Sequence, residues 1–170
     1  AGDSYGRSDY GKGKKVNVEF VSANPTGPMH MGNARGGALG DCYAAVLDYA
    51  GYEVAREFYV NDAGNQIEKF GLSLDIRYQQ LCGSDIELPE DSYHGEDIIE
   101  RAQEYKDEFG TALMEKSEEE RRKTLVEYSL PKNLSNMRKA MDKYRIDYDL
   151  WFSELSLHNG GELRETIDLL

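Results

Sequence analysis

The chain has 170 residues, 39% hydrophobic and 11% aromatic, with a formal net charge of -12; that is enough for one sizeable core. Such acidity argues against sequence-independent nucleic-acid binding by phosphate neutralisation while leaving local RNA contacts open. No run approaches the length of a membrane span and the N-terminus has no signal-peptide layout, so a cytoplasmic setting without a membrane partner is expected. Cys42 and Cys82 lack metal or redox spacing and fall on apolar helical faces, which predicts buried free thiols in a reducing compartment.

Residues 1–15, with four glycines and three lysines, read as a linker. Gly6-x4-Gly11-Lys12 nearly spells a phosphate-binding loop, but Gly13 replaces the required Ser or Thr and no strand precedes it, so that reading is rejected. Val16–Val21 reads as a strand. A helix then begins near Met31, with Ala34, Gly37, Ala38, Asp41, Cys42, Ala45, Val46 and Tyr49 on one face and Gly51 as its stop. The small residues on that face predict close approach to a sheet. Glu53–Val60 is a second strand, so the unit is βαβ with parallel pairing.

The turn Asn61-Asp62-Ala63-Gly64 leads into a helix whose apolar face is Ile67, Phe70, Leu74, Tyr78 and Leu81, ended by Gly83. After a loop over 84–95, Ile98, Ala102, Tyr105 and Phe109 mark a helix stopped by Gly110. Ser117-x-x-Glu120 is a capping box opening another, expected to be interrupted near Pro131. Leu134, Met137, Met141 and Tyr144 follow, then a strand over 146–152 and a helix over 161–170. The expected fold is α/β: a Rossmann-like parallel sheet with an inserted helical segment. The expected organisation is a linker over 1–15, a first catalytic-domain part over 16–83, the insertion over 84–145 and a continuation over 146–170.

The chemistry concentrates in Ala23-Asn24-Pro25-Thr26-Gly27-Pro28-Met29-His30-Met31-Gly32-Asn33. A strand enters a Pro/Gly turn that delivers His30 and Gly32 to the first turn of a helix. Helix starts offer backbone N–H groups and the positive end of the dipole, which suits polyphosphate. His30 can donate to phosphate oxygens as charge builds there, and Gly32 lets a flat ring approach the backbone. The bland alternative is that His30 only caps the helix. Glu19 is expected in a largely buried strand, where a carboxylate needs a cationic ligand group, an internal Arg or Lys, or an edge position. Asn24, before a proline at a strand's C-terminal end, lies where open α/β sheets bind ligands, although a turn-forming asparagine would look the same. Asn61–Gln66 is equally consistent with scaffolding, Asp62 serving as N-cap. His94 reads as a surface loop residue and His158 as a strand-end one.

Val16–Pro28, His30-x-Gly32-Asn33-Ala34-Arg35, Gly40-Asp41, Tyr59–Gln66, Tyr93-His94-Gly95-Glu96 and Trp151-Phe152-Ser153-Glu154 together resemble the bacterial arginyl-tRNA synthetases. The family belongs to the class I synthetases, whose HIGH element matches the turn at His30. The resemblance implies an enzyme, an arginine–tRNA ligase. It makes His30 and Asn33 catalytic, places His30, Gly32 and Asn33 at ATP, and places Glu19, Asn24 and His30 at the amino acid. ATP with Mg2+, L-arginine and tRNA(Arg) are the implied substrates and partners, and a monomer the implied state. Asn33 departs from the pattern: it stands where the second HIGH histidine is usual, and it can donate to phosphate or ribose but not as a cation.

The family's N-terminal tRNA-contacting domain, KMSK-type loop and anticodon-binding domain have no counterpart in this sequence. Nor have the downstream tyrosine and aspartate expected to hold the guanidinium. The expectation is therefore a piece of catalytic domain, inactive in isolation. The alternatives are another HxGH adenylating ligase, with the cysteinyl type disfavoured by missing zinc-ligand cysteines, and a non-catalytic nucleotide-binding relative.

Overall fold

A computed structural model describes Gly2 and residues 4–170. Strands β1 (Lys15–Glu19), β2 (Glu53–Val60) and β3 (Leu150–Ser153) form a sheet in the order β1-β2-β3. Both pairings are parallel, with Val18 opposite Arg56 and Phe58 opposite Trp151. Helix α1 (Met31–Tyr49) connects β1 to β2. Helices α2 (Asn65–Leu81), α3 (Glu96–Phe109) and α4 (Glu118–Tyr144) lie between β2 and β3, and α5 (Glu154–Gly160) and α6 (Glu162–Leu169) follow. The parallel α/β sheet with a helical block between its strands agrees with the sequence reading.

The chain divides into two compact units: a sheet unit of 1–23, 29–61 and 139–170, and a helical unit of 24–28 and 62–138. These bounds differ from the expected breaks at 83 and 145. Helix α2 joins the helical unit because Phe70, Leu74 and Tyr78 pack with Ile98, Ala102, Tyr105 and Leu125 in one buried cluster. The sheet unit has its own core of Val18, Phe20, Ala44 and Ile146. Phe58 stacks on Trp151 with ring centroids 4.2 Å apart.

Three local expectations are corrected. In α1 the face turned inward carries Gly37 and Ala44, while Ala38, Cys42, Ala45, Val46 and Tyr49 are exposed. A Cβ at Gly40 would lie 2.2 Å from the Phe20 ring, so close approach occurs, but on a face rotated from the one expected. Cys42 is accordingly an exposed thiol and Cys82 a half-buried one. Second, α4 runs unbroken through Pro131. Pro131 and Glu127 are both exposed, so the Glu127 carbonyl left without its donor can be hydrated. Third, Gly64 rather than Asp62 caps α2, at φ 77, a left-handed backbone for which glycine is suited.

The N-terminal stretch is better ordered than a linker. Ser8 and Gly11 donate backbone hydrogen bonds to the carbonyls of Tyr49 and Ala50, and Gly13 donates to Gly51, tying it to the end of α1. For its residues 1 and 3 the linker reading lies outside the described residues. The Ser117–Glu120 capping box forms as expected, with the Ser117 N–H donating to Glu120 Oε2 at 3.3 Å and the Glu120 N–H to Ser117 Oγ at 3.3 Å. No helix among the described residues is long and apolar enough to cross a membrane.

Candidate active site

Beyond β1 the backbone is strained. Val21 and Ser22 adopt φ of 68 and 41, a left-handed region costly for a β-branched valine. The strain is held from both sides: Tyr59 N–H donates to Ser22 Oγ at 3.1 Å, and Ala23 forms a parallel bridge to Val60. The Tyr148 hydroxyl donates to the Phe20 carbonyl at 3.2 Å. Burial, with the Asp41 charge adding to it, pushes the Tyr148 phenol well above its ordinary pKa, so it stays a neutral donor. Nothing in the sequence pattern signalled this kink, since Val21 reads as one more strand residue.

His30 is the N-cap of α1, with extended backbone at φ -122 and ψ 175. Its Nδ1 accepts the Gly32 N–H at 3.1 Å, and the Asn33 backbone N–H also reaches the ring. In return the His30 N–H donates to Asn33 Oδ1 at 3.0 Å. The result is a reciprocal capping box built from histidine and asparagine. The capping role once set against function is therefore real, but it occupies only one side of each group. With Nδ1 accepting, the neutral ring carries its proton on Nε2; Asn33, with Oδ1 accepting, keeps its Nδ2 protons. The dipole places positive potential at the same end. A Cβ at Gly32 would lie 3.0 Å from His30 Cε1, so a side chain there would crowd the ring.

Glu19 is exposed, not buried. Strand β1 is an edge strand on which Val18 faces the core, and alternation turns Glu19 to the other side. The argument from a buried carboxylate therefore falls. Among the described residues no ion pair or side-chain hydrogen bond engages it.

The segment 24–28 belongs to the helical unit. Pro25 is fully buried and Thr26 is 7% exposed. Asn133 Nδ2 donates to the Pro25 carbonyl at 2.9 Å, and Thr26 Oγ1 donates to the Tyr93 hydroxyl at 3.4 Å. That hydroxyl donates in turn to Gln66 Oε1, so Gln66 and Tyr93, both within motifs of the sequence resemblance, contact each other. Asn24 Nδ2 is buried and has no hydrogen-bond partner among the described residues, a cost that a native fold rarely leaves unexplained. His30, Gly32 and Asn33 are thus gathered in one helix turn of the sheet unit, and Asn24–Pro28 is anchored in the helical unit. His94 and His158 are exposed. Asn133 carried no signal in the sequence beyond lying in an amphipathic helix.

A family model described as tRNA synthetases class I (R), catalytic domain, matches residues 2–87. The chain is 63% identical over 170 residues to an arginine–tRNA ligase of Acetivibrio thermocellus and 62% identical over 169 residues to one of Caldanaerobacter subterraneus. Each match takes in 99% of this chain, which spans about 30% of the length of those relatives. Among solved structures, one assigned as an arginyl-tRNA synthetase of Campylobacter jejuni superposes with a TM-score of 0.78 at 34% identity, covering 92% of this chain and 34% of that one. The arginyl-tRNA synthetase of Thermus thermophilus superposes with a TM-score of 0.60 at 25% identity, covering 92% of this chain and 26% of that one. With a helix-start histidine, a strained strand end and a matching catalytic-domain model over half its length, the chain belongs to the class I tRNA synthetase (R) catalytic-domain family.

Proposed function

We propose that this chain supplies the first part of an arginine–tRNA ligase catalytic site, acting in the cytoplasm as a monomer. In this reaction an arginine carboxylate oxygen attacks the α-phosphate of ATP, which arrives with Mg2+. The bond to the bridging oxygen breaks and pyrophosphate leaves; a hydroxyl of tRNA(Arg) then takes the arginyl group from the adenylate, the acyl–phosphate bond breaks and AMP leaves. The observation that carries the reading is the His30–Asn33 cap. It fixes the imidazole by Nδ1 and leaves Nε2–H as a positioned donor at the positive end of α1.

Such a donor stabilises charge that grows on phosphate oxygens as the α-phosphate is attacked, and it is catalytic to the extent that it binds the transition state better than ATP. Asn33 adds an amide donor without a positive charge, a weaker contribution than a second histidine would make. Glu19 offers a free carboxylate to the arginine ammonium. The orphan Asn24 amide, already desolvated, offers a donor to an oxygen of the same substrate, and a ligand acceptor there removes the cost of leaving it unpaired.

The test is ATP–pyrophosphate exchange by the full-length protein with tRNA(Arg), comparing arginine with cysteine and with small carboxylic acids. Exchange dependent on arginine alone is expected. Exchange supported by another acid and not by arginine would assign the site to a different adenylating ligase.

A further inference from the structure

We infer that Asn133 is a positioning residue for arginine binding, acting by holding the turn that carries Asn24. The inference rests on the functional reading above and extends it into α4, far along the chain from the Asn24–Asn33 turn. The Pro25 carbonyl is buried, and Asn133 Nδ2 donates to it at 2.9 Å across a sequence separation of 108. Asn133 is 7% exposed. Its orientation is not left to chance, because Arg101 Nε donates to Asn133 Oδ1 at 3.0 Å. An arginine can only donate, so the asparagine oxygen must face it and the asparagine amide must face the carbonyl. Amide orientation, and with it the direction of the Pro25–Thr26 peptide, is thereby fixed from α3 and α4.

A second tether holds the next residue. The Thr26 hydroxyl donates to Tyr93 Oη at 3.4 Å, and that hydroxyl is itself directed to Gln66. Successive residues of the turn are thus gripped by separate side chains, one through the backbone and one through a side chain. The residue just before them is Asn24, whose buried Nδ2 lacks a partner among the described residues. A donor left unpaired is useful only if it is held still, since a mobile turn would let it find a local acceptor. The tethered segment ends at Pro28, whereas His30, Gly32 and Asn33 belong to the sheet unit. The effect should therefore fall on arginine far more than on ATP.

The full-length protein is assayed by ATP–pyrophosphate exchange with tRNA(Arg), comparing Asn133→Asp, Asn133→Ala and Tyr93→Phe with the unaltered chain. Asp keeps the shape and the contact to Arg101 but cannot donate to the Pro25 carbonyl when ionised. A merely structural role predicts that Asp and Ala both lower stability in urea unfolding while the folded protein keeps its KM for arginine and for ATP. The inference predicts that both raise the arginine KM about tenfold or more with the ATP KM within about twofold, a split that marks lost substrate positioning. Tyr93→Phe removes one hydroxyl from a half-buried residue and keeps the ring, so it serves where the Asn133 variants fail to fold. It should raise the arginine KM by roughly threefold or more. An active unaltered protein whose Asn133→Asp and Tyr93→Phe variants keep the arginine KM overturns the inference and leaves the functional reading standing. An arginine KM unchanged in Tyr93→Phe overturns it equally if the Asn133 variants do not fold. No arginine-dependent exchange by the unaltered protein removes both.

Discussion

In the sheet unit, α1 meets the strands through glycine, with Gly40 against Phe20 and Gly37 against Ile146, and its far side leaves Leu39, Tyr43 and Val46 at least 60% exposed. In the helical unit the contacts are made by large side chains, with Phe70, Leu74, Tyr78, Ile98 and Leu125 all 0–1% exposed, and the unit also holds a buried ion pair between Asp75 and Arg121. The sheet unit obtains its geometry from backbone proximity, where a single methyl group has nowhere to go. The helical unit obtains it from shape filling and buried polar contacts, where loss of a partner is the graver injury. Within the sheet unit the His30–Asn33 cap is a backbone device at a helix start; within the helical unit the 24–28 turn is held by polar side chains.

The sharpest way to break this comparison is Arg121→Ala. Asp75 is 1% exposed and receives Arg121 Nε at 2.6 Å and Nη2 at 3.2 Å. The hydrogen bond to Asp75 raises the Arg121 pKa, although burial acts against it. Removing the arginine leaves a buried carboxylate with only Arg122 Nε, 4.0 Å away, and is expected to cost about 3–5 kcal/mol in urea unfolding. A loss below about 1 kcal/mol would show that Asp75 finds water or Arg122 at little expense.

Next in size is Gly40→Ala, which places a Cβ 2.2 Å from the Phe20 ring. Phe20 is buried and cannot swing clear, so a loss of roughly 1–3 kcal/mol is expected by the same measurement. Gly37→Ala sharpens the point. Its Cβ would meet Ile146 Cδ1 at 2.8 Å, the movable end of a side chain, so a smaller loss is expected. Equal losses would mean that the two contacts yield alike and that glycine is not the determining feature at position 40.

The smallest effect is one of pH. Burial acts to raise the Glu104 carboxyl, but hydrogen bonds from Arg101 and Lys132 outweigh it and leave its pKa below the ordinary 4.5. A depressed carboxylate pKa contributes stability that is fully present above the unfolded value and lost as pH falls through the folded one. Glu104→Gln should therefore differ slightly from the unaltered chain at neutral pH, and the difference should shrink in acid, below about 4.5. Glu104 is 44% exposed on its side chain, so screening keeps the effect modest. A difference that grew on acidification would reverse the sign of the assignment.

Sequence periodicity located the elements well where one face is large and apolar, as with Phe70, Leu74 and Tyr78 in α2. It misplaced the buried face of α1 because alanine, glycine and cysteine occur all round that helix and give little directional signal; the interior is selected by absence of bulk at Gly37 and Gly40. The strand alternation that makes Glu19 exposed was legible in principle, but β1's edge position depends on sheet order, which a single sequence does not contain. The His30 turn was legible because Pro and Gly constrain the backbone locally. The Asn133 tether was not, because its partner lies 108 residues away and a polar residue on an amphipathic helix is expected to face water. Pro131 misled for a related reason: on an exposed helix face the orphaned Glu127 carbonyl can turn toward water, so the proline is tolerated without ending α4.

The central claim is that the helix-start histidine is a phosphate donor as well as a cap, and His30→Asn in the full-length protein separates the two. Asparagine is a good N-cap, so α1 and overall stability should be nearly unchanged in urea unfolding, while the imidazole Nε2–H is gone. The account predicts that arginine-dependent ATP–pyrophosphate exchange falls by roughly 10²–10³-fold, the range for loss of one positioned donor. Exchange within a fewfold of the unaltered protein, at unchanged stability, would contradict it and leave His30 as a helix cap alone.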